Sequence, residues 1–294
     1  MRLMVILLLL LAFLGCCSLL FFNIWGGGQE KGDLIAVINL KGIILNTDSE
    51  GETINSDRVV KVLDDISKKS QYKGILLVVD SPGGMAAPSL EISYKINQIK
   101  MQKPVVVYIQ NLGASGAYYF SSAASYIVSN PEAIIGSIGV IISIPQIHKA
   151  LDKIGIQVIN IKSGKYKDSL SPYKPISDDQ KNYLQDLVME YYYQFVRDVA
   201  KNRGFKTEKQ IKELYSIADG RVFSSRTALE YRLIDEIGVI DDAKNKIKSM
   251  VKNDKVKFVE IKLRQISPLE RLLSNTISDR VLPRLRYGVW MILD

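Results

Sequence analysis

An α/β fold with parallel strand pairing, preceded by an apolar N-terminal span, is predicted for this chain by three observations. Short runs such as Ile75 to Val79 and Val105 to Ile109 are apolar and largely β-branched, the pattern of strands buried on both faces. Between those runs lie stretches with apolar residues at helical spacing, such as Val59, Val60, Val62, Leu63 and Ile66. Strands that alternate with helices pair in parallel, because each helix carries the chain back to the start of the next strand. Third, Leu3 to Phe22 carries no charge, and about 20 residues at ~1.5 Å each cover the roughly 30 Å of a bilayer's hydrocarbon.

The N-terminal span is expected to be an uncleaved anchor over residues 1–25, closed by the interfacial Trp25, with a flexible linker over 26–33 that begins Gly26-Gly27-Gly28. Arg2 favours a cytoplasmic N-terminus and an exported body. A cleaved signal peptide competes with this, although no Ala-x-Ala site closes the run, and Phe13-Leu14-Gly15-Cys16 faintly resembles a lipoprotein site. Both cysteines, Cys16 and Cys17, lie in this segment, so the body holds no thiol nucleophile, disulfide or cysteine metal site.

In chain order, Leu34 to Leu40 and Gly42 to Leu45 read as strands and Asp57 to Ser67 as a helix. Gly74 to Val79 is a buried strand ending in Asp80-Ser81-Pro82-Gly83-Gly84, followed by a helix from about Ser89 to Met101. The strand Pro104 to Ile109 leads into Asn111-Leu112-Gly113-Ala114-Ser115-Gly116-Ala117-Tyr118-Tyr119 and a further helix. Tyr126 to Ser129 is a short strand, Ile147 to Ile154 a short helix, and Gln157 to Ile161 a strand. Ser177 and Gln180 form a capping box that launches a long helix to about Asn202. Thr207 to Leu214 and Ser225 to Tyr231 read as helices and Val256 to Leu263 as a last strand, so that one domain spans 34–265. A basic, amphipathic tail over 266–294 is expected to face lipid or a partner.

With 47% apolar residues the chain can bury a full core, which excludes a disordered protein. The formal charge of +8 is concentrated in the C-terminal part, where attraction to anionic lipid is one explanation and a solvated face the other. No nucleic-acid module is recognisable. Neither a metal cluster nor a nucleotide loop is evident, so no cofactor is expected.

Ser115 stands where a buried strand gives way to a helix. Gly113, Ala114, Gly116 and Ala117 around it leave room for a foreign backbone, and the first helical amides are free donors. An activated serine needs a base. The one histidine, His148, has Lys149 beside it and no acidic neighbour, so a Ser-His-Asp triad is poorly supported. Lys165 and Lys167 flank Tyr166 just past a predicted strand end, and on an extended segment both share one face, so pattern does not choose between them. Lowering a lysine from about 10.4 to near 7 opposes folding by roughly 4 to 5 kcal/mol, a shift that burial under substrate can supply. Ser137 is a candidate hydroxyl for holding the neutral amine. Amides of Pro82-Gly83-Gly84, together with that of Gly116, are candidate donors to an oxyanion.

Four stretches, Asp80 to Gly84, Gly113 to Tyr119, Gly136-Ser137-Ile138-Gly139-Val140 and Ser163 to Asp168, with the later Asp219-Gly220-Arg221-Val222-Phe223 and Leu233 to Gly238, resemble the bacterial signal peptide peptidase A family in order and separation. The likeness is to its short, single-copy, membrane-anchored form. It implies a spiral of ββα units as in the Clp protease and crotonase superfamily. It further implies a Ser/Lys-dyad serine protease with Ser115 as nucleophile, Lys167 as general base, Ser137 orienting that lysine, and Gly83 or Gly84 with Gly116 as oxyanion donors. Remnant signal peptides would be the substrates, a homo-oligomeric ring the assembly, and the extracytoplasmic face of the membrane the location. Arg232 stands where the family commonly has glycine, and Ala117 replaces another frequent glycine. Two other functions fit parts of the pattern: a crotonase-like acyl-CoA enzyme, which acyl-CoA turnover would reveal, and a non-catalytic, membrane-tethered peptide-binding scaffold, which would survive loss of Ser115.

Overall fold

The computed structural model describes residues 32–47 and 51–263. The predicted anchor, most of the linker and the C-terminal tail lie outside the described residues. Among the described residues no helix is long and apolar enough to cross a membrane.

A parallel sheet organises the domain. Its strands are β1 (Leu34–Lys41), β4 (Tyr72–Ser81), β5 (Val105–Ala114), β6 (Tyr126–Ser129), β9 (Glu236–Ile237) and β10 (Lys257–Glu260). They lie side by side in the order β10-β1-β4-β5-β6-β9. Between β1 and β4 the chain forms a small parallel pair, β2 (Ile43–Leu45) with β3 (Thr53–Asn55), and α1 (Ser56–Lys68). The side chain of Asn55 caps α1 by accepting from the Arg58 amide. Helix α2 (Ala86–Ile99) returns from β4 to β5, and α3 (Gly116–Ser122) leaves β5 directly. The chain then passes through β7 (Ile134–Gly136), α4 (His148–Lys153), α5 (Asp178–Asn202), α6 (Glu208–Ile217), β8 (Val222–Ser224), α7 (Ser225–Glu230) and α8 (Ile240–Val251).

Alternation along the strands sorts the core into two layers. Leu34, Ala36, Ile38 and Leu40 of β1, with Ile75, Leu77 and Val79 of β4, join the larger cluster beneath α1, α2, α3 and α5. Ile35, Leu76, Val106 and Tyr108 face the other way, onto Ala243 and Ile247 of α8. Both faces of β1, β4 and β5 are therefore buried, which is why those strands read as continuous apolar runs.

Three differences from the sequence reading have physical causes. Helix α2 begins at Ala86 rather than near Ser89, because Pro88 falls in its first turn, where no amide hydrogen bond is lost. Strand β5 continues past Ile109 to Ala114, since Leu112, Gly113 and Ala114 change partner and pair with β7. The predicted strand at Gln157 to Ile161 has no partner strand among the described residues. Ile159 and Ile161 in it are 83% and 99% exposed. The capping box at Ser177 and Gln180 is formed as predicted and starts the 25-residue α5.

Candidate active site

Two strand ends and one sharp turn converge at Ser115. Strand β5 pairs with β7 up to Ala114 opposite Gly136, and the next amide, that of Ser115, donates to the Gly136 carbonyl at 2.8 Å. Ser115 itself has φ 52° and ψ −124°, a conformation that ordinary residues avoid and that turns the chain from β5 straight into α3. Its side chain does not cap α3, so the hydroxyl is left for other uses.

The glycines beside it are there because other backbone occupies the space of a side chain. A Cβ on Gly83, whose φ is +99°, would lie 2.7 Å from the Gly116 nitrogen and 2.8 Å from the Ser115 Cβ. On Gly116 a Cβ would meet the Ser89 hydroxyl at 2.2 Å, and on Gly84 the Ile44 carbonyl oxygen at the same distance. The Pro82-Gly83-Gly84 turn is thus packed directly against the start of α3. Ser81, fully buried, accepts the Gly83 N–H at 3.1 Å. Gly84 is fixed through its neighbours: Ile44 donates to the Gly83 carbonyl at 2.9 Å and accepts from Met85 at 3.0 Å. The Gly84 amide itself has no hydrogen bond among the described residues.

Ser137 follows Gly136 with φ 49°, and its amide donates to the carbonyl of Arg221 at 2.8 Å. Gly220 in turn donates to Ile138 at 3.1 Å, and β8 pairs antiparallel with β7. The guanidinium of Arg221 is held by Asp219, which lowers that carboxyl's pKa. Sequence reading gives no role to Ser89, Ser81 or Arg221, although the last two stand within stretches that carry the family resemblance. Only the burial of two serines among apolar neighbours, invisible in a linear pattern, marks the first two.

The lysine segment is arranged differently. Lys165 pairs with Asp179 of α5, and that hydrogen bond raises its pKa. Lys167 is exposed, its backbone amide donating to Gly164 at 3.3 Å, and its ammonium has no hydrogen bond or ion pair among the described residues. Within one chain, no hydrogen bond among the described residues joins Lys167 to Ser115 or Ser137. The structure thus brings Ser115, Ser137, Gly83, Gly84 and Gly116 together through backbone contacts. His148 opens α4 with its Nδ1 shielded and unbonded, and no carboxylate among the described residues orients it.

The residues from Asn97 to Asp254, which include Ser115, Ser137, both lysines and Arg221, match the profile of peptidase family S49. The chain belongs to this family. A putative protease of Methanocaldococcus jannaschii is 35% identical over 90% of this chain and 86% of its own length. A putative signal peptide peptidase SppA of Enterococcus faecium is 34% identical over 86% of this chain and 73% of that protein. Among solved structures, a point mutant of a membrane-bound stomatin-specific protease, 1510-N, superposes with a TM-score of 0.51 at 18% identity. The match covers 79% of this chain and 98% of that one, a likeness of fold. The resemblance carried by the four motifs holds for this S49 peptidase, and its mixed α/β sheet is the fold of that neighbour.

Proposed function

We propose that this S49 peptidase is a membrane-anchored serine endopeptidase that cleaves apolar peptides, remnant signal peptides among them, with Ser115 as nucleophile and Lys167 as general base. The observation that carries the reading is the backbone of Ser115. A non-glycine residue at φ 52°, with the Gly83 turn packed on its Cβ, holds a hydroxyl at the end of a buried strand. Such strain persists where function needs the side chain presented.

In this mechanism Ser115 Oγ attacks the scissile carbonyl while the neutral Lys167 amine takes its proton. The tetrahedral oxyanion accepts hydrogen bonds from the amides of Gly84 and Gly116. Gly83, whose own N–H is donated to Ser81, shapes the turn. Lys167 then protonates the leaving amine, and the acyl-enzyme is released by water that the same lysine deprotonates. Lys165 suits the role less, because its partner Asp179 favours the charged ammonium. Ser137, beside Ser115 across the β5/β7 pairing, is the hydroxyl that would orient the lysine.

Lys167 would reach Ser115 in a homo-oligomeric ring in which neighbouring subunits complete each site. Exposed Ile159 and Ile161, which directly precede the lysine segment in the chain, and exposed Ile141 support such an assembly. We read the sheet as the spiral of ββα units. β1 is followed by the β2/β3 pair and α1, β4 by the Ile44–Gly84 bridge and α2, and β5 by its pairing with β7 and α3. The uncharged Leu3 to Phe22 would anchor the domain on the extracytoplasmic side of the membrane, with anionic lipid attracting the basic tail.

Hydrolysis of an apolar fluorogenic peptide by the full chain in lipid or detergent tests this reading. Ser115→Ala and Lys167→Ala should abolish turnover and Lys165→Ala should retain it. Turnover by Ser115→Ala at the native rate would rule the mechanism out.

A further inference from the structure

The segment that carries Lys167 is built around one carboxylate that no part of the mechanism above uses. Asp168 follows Lys167 directly, and its side chain is only 10% exposed. Its Oδ1 accepts from Lys162 Nζ at 2.6 Å, from Lys174 Nζ at 3.1 Å and from Gln180 Nε2 at 3.2 Å. Gln180, 3% exposed, is the third residue of α5 and the partner of the Ser177 cap. The same amide group donates from Nε2 to the Lys165 carbonyl at 3.3 Å and accepts Lys174 Nζ on Oε1 at 3.1 Å. Lys162 Nζ also donates to the Lys165 carbonyl, at 3.1 Å. The two ends of the segment, at Lys162 and Lys174, and the start of α5 are thereby gathered on one oxygen. Tyr166 packs on Tyr183 at 5.1 Å between ring centres, and the Ser169 hydroxyl donates to the Tyr166 carbonyl at 2.7 Å, which closes the turn on either side of Lys167.

We propose that Asp168 and Gln180 are positioning residues for Lys167. They clamp the segment so that its one lysine without a partner among the described residues projects from a fixed turn. This rests on Lys167 being the general base. A segment carrying Lys162, Lys165, Lys167 and Lys174 repels itself, and without an internal counter-charge it has no reason to hold one conformation. The charged groups facing the turn are Lys162, Lys165 and Lys174 from the segment and Asp179 from the first turn of α5. Asp168 is the carboxylate among them that takes two ammonium groups at once.

Two measurements separate this role from a structural one. Asp168→Asn should lower kcat by about tenfold or more through lost positioning, with KM changed by less than about threefold. Asp168→Glu, which keeps the carboxylate, should recover most of the lost kcat. Lys162→Met, which removes one of the two ammonium partners of Asp168 and leaves Lys174, should lower kcat by less than Asp168→Asn does.

The experiment measures kcat and KM of the full chain on the same fluorogenic peptide, with Lys167→Ala and thermal unfolding run in parallel. A fall in kcat at nearly unchanged KM in Asp168→Asn, recovered in Asp168→Glu, supports the inference. If Lys167→Ala is inactive while Asp168→Asn keeps the native kcat, or loses it only in proportion to the folded protein, Asp168 is only a structural tie and the inference falls. If Lys167→Ala turns over at the native rate, the base assignment has failed, and the inference with it. Should Asp168→Asn not fold, Lys162→Met decides by whether kcat falls at unchanged KM.

Discussion

The amide of Ser115 donates to the carbonyl of Gly136 at 2.8 Å, tying the end of β5 to the end of β7 one residue before Ser137. Both serines have positive φ, and both are held there by backbone partners, Gly136 for the first and Arg221 for the second. The pair of strand ends therefore acts as one frame. Gly136→Ala attacks it directly, since φ is +105° and a Cβ would lie 2.8 Å from the Phe223 ring. We expect a loss of about 2 kcal/mol in stability, read by denaturant unfolding, and peptide hydrolysis reduced at least about tenfold.

Gly83→Ala, at φ +99°, should cost at least as much stability as Gly136→Ala and remove activity. The added methyl meets the Gly116 amide and Ser115 itself rather than a side chain that could swing away. Displacing the turn takes the proposed oxyanion donor out of position, an effect of about 3 to 4 kcal/mol on the barrier, so kcat should fall by about two to three orders of magnitude. Ser81→Ala is the milder version. It leaves the buried Gly83 N–H without its acceptor, for which about 1 to 3 kcal/mol of stability is expected to be lost, with a smaller fall in kcat.

How far this frame is legible in the sequence follows from its chemistry. Ser115, Gly83, Gly84 and Gly136 are legible because strand ends that pack closely against the chain's own backbone and rings use small residues in short, recognisable runs. The strands β1, β4 and β5 are legible because two-sided burial leaves only apolar residues. Arg221 is not, since it acts on Ser137 through its carbonyl and any residue supplies one. The Gln157 to Ile161 run reads as a strand by propensity alone, but a strand exists only with a partner, and among the described residues the chain has none for it. For Lys167 the motif names the residue, and no hydrogen bond among the described residues ties it to Ser115.

Arg232, where the family resemblance implies a glycine, has the left-handed backbone that glycine favours, with φ 60°. Left-handed backbone disfavours a residue with a Cβ by about 1 to 2 kcal/mol. Against this, the guanidinium lies 5.9 Å from the centre of the Phe205 ring, an exposed cation–π contact of about 0.5 to 1 kcal/mol. Arg232→Gly should therefore raise the unfolding free energy by up to about 1 kcal/mol and leave peptide hydrolysis unchanged. A loss of stability would show that the ring contact outweighs the backbone strain.

The Leu233-Ile234-Asp235 run has a structural purpose that Arg203 reveals. Arg203, at the end of α5, donates to both oxygens of Asp235, at 3.0 and 2.7 Å, and Asp235 also accepts the Ile127 amide at 2.7 Å. Its guanidinium also reaches the Arg232 carbonyl at 3.2 Å, so α5, β6 and the turn before β9 meet there. Removing one partner of a largely buried pair leaves the other charge without compensation. Arg203→Ala should cost about 3 kcal/mol, and Arg203→Met, which keeps the packing volume, less than that. Equal losses in the two variants would assign the effect to the lost charge pair alone, with packing contributing nothing.

Acid titration isolates the charge of Asp168 from its packing. The hydrogen bond from Lys162, and after it that from Lys174, holds the carboxyl at about 2, below its ordinary value of 3.8. A depressed carboxyl makes the unfolded chain the stronger proton binder, so its contribution to stability is present above pH ~4 and is lost as the pH falls through the folded value. Asp168→Asn has no charge to lose. Its unfolding temperature should therefore lie below that of the native chain by a constant amount above about pH 5, and the gap should narrow between about pH 4 and 2 as the native carboxylate is protonated. A gap that stays constant down to the most acid point would mean that the amide fits the cluster badly for reasons of shape, since a charge that has been neutralised can no longer distinguish the two chains.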